Sequence, residues 1–183
     1  ASDVYKRQTY GTPWSEENKN KLGVIKRTSP VVDVSPTERA TVGEIYALMN
    51  EDLKNAYELA KEESVQGVDI TSSLLQKLNA TLMRTTGSVH NTIGGSFDSS
   101  KGEFRLCGVT AGVGGRSYMS YQKVPAKVEE LCSILQERQK LMNTLREQYE
   151  LSFNAHLNLV TIHPWVDSNG RACLLYTSPS PRD

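Results

Sequence analysis

His163-Pro164-Trp165-Val166-Asp167-Ser168-Asn169-Gly170-Arg171 stands near the carboxyl end of the chain, directly after a long stretch of helical apolar periodicity. Pro164 disfavours helical angles at the residue before it, so the incoming helix stops at His163. Ser168-Asn169-Gly170 is a small-residue turn, and a second helix is expected to begin at about Asn169. The nine residues are therefore a joint between two helices, and they bring several chemically useful groups into it.

The His163 imidazole, with an ordinary pKa of about 6.5, accepts a proton from a hydroxyl at neutral pH. Asp167 is a hard oxygen ligand of the type Mg²⁺ prefers, and Mg²⁺ commonly combines one protein carboxylate with phosphate oxygens. The same residue also reads as an N-cap for the coming helix. Ser168, Asn169 and Gly170 lie at a helix start, where free backbone N–H groups and the helix dipole bind phosphate. Asn169 adds a side-chain amide donor, and Gly170 keeps the wall low. A Gly at 168 would take left-handed backbone angles freely, whereas Ser there costs roughly 1 kcal/mol. Arg171 presents a forked cation to phosphate oxygens. These groups together point to a Mg²⁺-bound nucleotide.

Upstream of the joint, Ile45, Leu48, Met49, Ala56, Leu59 and Ala60 recur at helical steps, predicting an amphipathic helix from Gly43 to about Gly67. A second helix opens at Asp69 or Thr71 as N-cap and buries Leu74, Leu75, Leu78 and Leu82. Residues 86–102, rich in Gly and Ser, read as a loop. Glu103 to Thr110 and Ser117 to Gln122 read as two short strands joined through Ala111 to Gly115, a Gly-rich hairpin. Pro125 marks a helix start, with Val128, Leu131, Cys132 and Leu135 as its buried stripe. The last long helix is expected from about Leu141 to Ile162, burying Leu145, Ser152, Ala155, His156, Leu159 and Val160. The fold class is mostly α, a helical bundle with one β-hairpin.

The 183 residues suffice for one domain with a proper core. Lys plus Arg and Asp plus Glu both number 21, so no net charge favours nucleic acid or an acidic membrane as a partner. No apolar run reaches the roughly 20 residues of a membrane span. The three cysteines, Cys107, Cys132 and Cys173, lack metal spacing and read as buried or incidental thiols suited to a reducing, cytoplasmic setting. Residues 1–40 read as a polar arm with one short helix around Glu16 to Lys26. The opening ASDVYKRQ (1–8) and the closing LLYTSPSPRD (174–183) read as foreign to the fold, since Pro179 and Pro181 oppose helix continuation.

The nine-residue stretch resembles the signature of the Fic family, His-Pro-Phe-x-Asp-Gly-Asn-Gly-Arg-x-x-Arg, with Trp165 for Phe. Ser168 in place of Gly and Leu174 in place of the second Arg depart from it. Leu151 to Ile162 looks like the helix before the family motif, and Gly102-Glu103-Phe104-Arg105 resembles its Gly-x-Tyr-Arg lead-in to the hairpin. The resemblance spans about Thr41 to Arg171, which implies a Fic domain over residues 41–173, cut short just after the motif.

That resemblance implies transfer of AMP from ATP to a Ser, Thr or Tyr hydroxyl of a target protein. It casts His163 as general base and Asp167 as ligand of the Mg²⁺ that bridges the α- and β-phosphates. Ser168, Asn169, Gly170 and Arg171 become the phosphate site. The hairpin matches the family's flap, with Gly112, Val113, Gly114, Gly115, Arg116, Ser117 and Tyr118 holding a target by strand addition; Met119 and Tyr121 are further clamps. Some relatives transfer phosphate or phosphocholine instead, and Leu174 stands where the family contacts the γ-phosphate. A disabled nucleotide- or partner-binding module and a bare metal-dependent hydrolase are two further readings of the same residues. Family members are often silenced by an antitoxin chain or an inhibitory helix bearing Ser/Thr-x-x-x-Glu-Gly/Asn. No clean copy occurs here, Thr28 to Asp33 being a degenerate one.

Overall fold

A computed structural model describes residues 36–111 and 116–177. The expected helix at Glu16 to Lys26, the segment Thr28 to Asp33, the flap residues Gly112, Val113, Gly114 and Gly115, and residues 178–183 lie outside the described residues.

Helix α1 spans Pro36–Val65. It begins earlier than the expected Gly43, a proline being well tolerated in a first helical turn. It ends by a Schellman motif: Gly67, at φ 70°, donates to the Ser64 carbonyl at 3.1 Å, and Val68 donates to the Glu63 carbonyl at 3.0 Å. The carboxyl half of α1 carries the contact with the bundle. Ala56 is buried there, with Leu53, Tyr57, Leu59 and Ala60 packed against the core. Ile45 and Leu48, expected on the buried stripe, are exposed.

Helix α2, Ser72–Leu82, is N-capped by Thr71, whose hydroxyl accepts from the Leu74 N–H at 3.1 Å. It buries Leu75, Leu78 and Leu82 and, on the same stripe, the polar Asn79. The buried Asp52 carboxylate of α1 binds the far end of α2, accepting from Arg84 Nε at 2.8 Å and Thr85 N at 2.9 Å.

Residues 86–102 are not the loop the sequence predicts. They hold an antiparallel hairpin, β1 (Val89–Thr92) and β2 (Gly95–Asp98), paired Val89 to Asp98 through Thr92 to Gly95 and followed by a 3₁₀ turn. Gly102, at φ 70°, lies against α2 so closely that a Cβ would enter the Gln76 carbonyl. Only glycine satisfies both the angle and the approach.

The flap strands are shorter than predicted. β3 (Thr110–Ala111) pairs with β4 (Arg116–Ser117), and Tyr118 N donates to the Val109 carbonyl at 3.2 Å. Residues 103–109 are irregular because their backbone is drawn to the His163 joint, Arg105 N donating to the Pro164 carbonyl at 3.0 Å.

Helix α3, Val124–Leu141, buries the expected Val128, Leu131, Cys132 and Leu135. Helix α4, Leu145–Ile162, starts later than expected, at a capping box formed by Thr144 and Glu147. That start leaves Leu145 exposed rather than buried; Ala155, Leu159 and Ile162 enter the core. Helix α5, Asn169–Thr177, begins where predicted and runs through Leu174, beyond the boundary expected at residue 173. Ala172, Cys173 and Leu175 seal it against α4. Burial pushes the Cys132 thiol up to about 11 and the Cys173 thiol up to about 12, which makes both poor nucleophiles.

The expected mostly helical fold with a hairpin flap is what these elements form.

Candidate functional site

The site grows from the way α4 ends. His163 takes left-handed angles (φ 53°) as C-cap, its N–H still bonded to the Leu159 carbonyl at 2.9 Å. A non-glycine residue in that conformation costs roughly 1 kcal/mol, so the surroundings must hold it. Arg105 does much of this. Its buried guanidinium donates from Nε to the His163 carbonyl at 2.7 Å and from Nη1 to the Cys107 carbonyl at 2.7 Å. From Nη2 it reaches the Met119 carbonyl at 2.5 Å and the Ile162 carbonyl at 3.4 Å. A cation against the carbonyl end of a helix is favourable. One side chain thereby joins both sides of the flap to the end of α4.

The loop that follows is closed from within. Trp165 is buried, donating from Nε1 to the Gly102 carbonyl at 3.0 Å and lying tilted against Phe104. The Asn169 side chain brackets Trp165, accepting from its N–H at 3.1 Å and donating to its carbonyl at 2.8 Å. Asn169 is itself buried. Its amide, expected to face phosphate, instead fixes the loop.

Ser168 has φ 66°, the left-handed geometry for which glycine was the anticipated residue. It is also the N-cap position of α5, its carbonyl accepting the Ala172 N–H at 2.8 Å. Its hydroxyl donates to the buried Asn79 Oδ1 and also contacts the Asp167 carbonyl. The serine thus brings its own hydrogen bonds to a strained position. Asn79 Nδ2 is buried without a partner.

Asp167 is not the helix cap. Its Oδ1 accepts from the Ser168 N–H at 2.5 Å, and its side chain remains 67% exposed. Arg171, mostly buried, sets Nη2 3.8 Å from Asp167 Oδ2, while Nη1 donates to the Leu82 carbonyl at 3.5 Å. The first-turn N–H groups of α5 have no intrahelical acceptor by helix geometry. A Cβ on Gly170 would meet nothing within 4 Å, so the space beside that residue is open.

The His163 ring lies face to face with Tyr118 of the flap, centroids 3.8 Å apart and planes 15° from parallel. Burial lowers its pKa, a carbonyl contact from Val160 opposes this, the Arg105 cation lowers it further, and Asp167 opposes again. The net is an imidazole below its ordinary value, neutral at pH 7 and able to accept a proton.

The structure therefore brings His163, Asp167, Ser168, Asn169, Gly170 and Arg171 into one joint, with Tyr118 over the imidazole. Arg116 and Ser117 stand in β4. Sequence reasoning did not assign roles to Arg105 or Asn79; the Gly102-Glu103-Phe104-Arg105 lead-in was the signal for the first. Among the described residues no cluster of three His, Cys, Asp or Glu could hold a metal. The exposed Asp167 carboxylate fits Mg²⁺ only with phosphate oxygens as further ligands.

A helical bundle whose α4–α5 joint carries this motif under a hairpin defines a Fic-type domain. The profile of the Fic/DOC family matches residues 69–178, and the chain belongs to that family. In fold it is similar to the crystal structure of a Fic-domain-containing signaling protein from Bacteroides thetaiotaomicron, with a TM-score of 0.56 and 23% identity. That match covers 70% of this chain and 45% of the other, so the chain spans less than half the length of that protein. No curated protein matches the chain. No described helix is long and apolar enough to cross a membrane.

Proposed function

We propose that the domain transfers AMP from ATP to a Ser, Thr or Tyr hydroxyl of a target protein, releasing pyrophosphate. The observation that carries this reading is the joint itself. A half-buried imidazole with a depressed pKa sits at the end of α4, and an open helix start with an exposed carboxylate and a cation sits four to eight residues on.

His163 accepts the proton of the acceptor hydroxyl as its oxygen attacks the α-phosphorus in line. The bond from the α-phosphorus to the oxygen bridging the β-phosphate breaks, and pyrophosphate leaves. The first-turn N–H groups of α5 and the Arg171 guanidinium orient phosphate oxygens and offset their charge. Mg²⁺, held by Asp167 and phosphate oxygens, supplies Lewis-acid charge neutralisation when bound. The flap presents the target as an added strand, so its side chain reaches His163 at a fixed depth.

Transfer of a different nucleotide-derived group is the second reading, and Leu174 favours it. This exposed apolar residue on α5 stands where the family signature has its second Arg. A γ-phosphate would find no cation there.

Peptide mass spectrometry of a cell lysate incubated with the protein, ATP and Mg²⁺ separates the readings. AMP adducts on hydroxyl residues support the first and phosphate adducts the second. Neither adduct, with ATP bound, leaves a nucleotide-binding module.

A further inference from the structure

A general-base histidine is usually oriented by a hydrogen bond from its second ring nitrogen. His163 makes no such bond of good geometry: its Nδ1 is buried without a hydrogen-bond partner, and the neighbouring Val160 carbonyl acts on the ring only as a contact that favours its protonated form. The backbone beneath the ring is in the left-handed region. Among the described residues an aromatic ring, that of Tyr118, lies flat against the imidazole.

We propose that Tyr118 is the positioning residue for the His163 base, its ring forming the wall that holds the imidazole in one plane with an edge free for the acceptor. The inference rests on the reading of His163 as that base. Three observations carry it. The two rings are stacked at 3.8 Å and 15°. The Tyr118 N–H is fixed to the Val109 carbonyl across the flap at 3.2 Å. Finally, the carbonyls of Met119, next to Tyr118, and of His163 both hang from the one Arg105 guanidinium, at 2.5 and 2.7 Å. The backbones carrying the two rings therefore share a common support. A tyrosine serving only to clamp the target would not need to cover the face of the base.

The contact uses the face of the ring and not its hydroxyl, which separates Tyr118→Phe from Tyr118→Ala. The test is carbethoxylation of His163 by diethylpyrocarbonate, followed by peptide mass spectrometry on the full chain. It is run well above the ordinary imidazole pKa, so that every variant is neutral. His163 should react at the same rate in parent and Tyr118→Phe, and about five- to ten-fold faster in Tyr118→Ala, the size of one aromatic stacking contact. In a transfer assay Tyr118→Ala should lower kcat and leave the KM for ATP unchanged.

Equal His163 reactivity in Tyr118→Ala and parent would overturn the proposal, as would Tyr118→Phe behaving like Tyr118→Ala. If Tyr118→Ala melts well below the parent, Tyr118→Leu fills the space without an aromatic face and takes its place. The modification readout needs no transfer activity. A parent that stacks as proposed but transfers nothing would therefore count against the proposed function and not against the stacking role.

Discussion

Replacing Ser168 by Gly looks from the sequence like a repair, and the structure reverses that expectation. Gly would relieve left-handed strain of about 1–2 kcal/mol at φ 66°. The same change removes a hydroxyl bonded to Asn79 Oδ1 and placed against the Asp167 carbonyl. Asn79 is fully buried and its Nδ2 already lacks a partner, so the whole amide becomes an orphan. An unsatisfied buried acceptor costs about 1–3 kcal/mol. The added freedom of Gly in the unfolded chain costs a further 0.4–1 kcal/mol or so. The balance is a loss of about 1 kcal/mol, read as a lower urea midpoint at unchanged slope. Asn79→Leu alone should also destabilise, but in the Ser168→Gly background it should cost less, a coupling of about 0.5–3 kcal/mol in a double-mutant cycle. A Ser168→Gly protein more stable than the parent by about 1 kcal/mol, with no coupling to Asn79, would refute the argument.

His163→Ala should lower transfer by about 10²- to 10⁴-fold while ATP affinity is kept, since the base acts on the acceptor and not on the phosphates; equal transfer by the mutant would remove His163 from the mechanism. In calorimetric titrations Asp167→Ala should weaken ATP binding only with Mg²⁺ present, whereas Arg171→Ala should weaken it with or without the ion. Unchanged affinity in both would sink the phosphate-site assignment. Asp52 offers a pH test. Burial works to raise its pKa, but hydrogen bonds from Thr85 and Arg84 outweigh this and hold the carboxyl below its ordinary range. Its contribution is therefore present in full above the unfolded value of about 3.9 and is lost as pH falls through the lower folded value. Asp52→Asn should lose about 1–3 kcal/mol at neutral pH and show a flatter acid limb in chemical denaturation; an acid limb identical to the parent's would contradict it.

The parts of the fold set by long, regular signals were legible in the sequence. The stripe of α3 and the stop at Pro164 are both of that kind, as is the restart of helix at Asn169. What escaped were features decided by tertiary contact. The β1–β2 hairpin has four-residue strands in a Gly- and Ser-rich stretch, too short for alternation to rise above turn residues. Residues 103–109 alternate like a strand, but Arg105 turns them toward the carbonyl end of α4. Leu145 fits the apolar period and lies exposed, because period alone does not say which stripe meets the core. Asn79 and Arg105 are polar residues at fully buried positions, and a sequence shows such groups only as interruptions. Within the site, the residue types around His163 could be read for their chemistry. Which of them face a ligand could not, since the Asn169 amide is used within the loop and the Asp167 carboxylate is left outside it.

The most direct test of the central claim follows the phosphorus. ATP labelled at its α-phosphate and ATP labelled at its γ-phosphate are incubated in parallel with Mg²⁺, target-containing lysate and either the parent chain or His163→Ala. The account predicts protein-bound label from the α position alone, abolished in the mutant. Label arriving from the γ position, or α label undiminished by loss of His163, would contradict it.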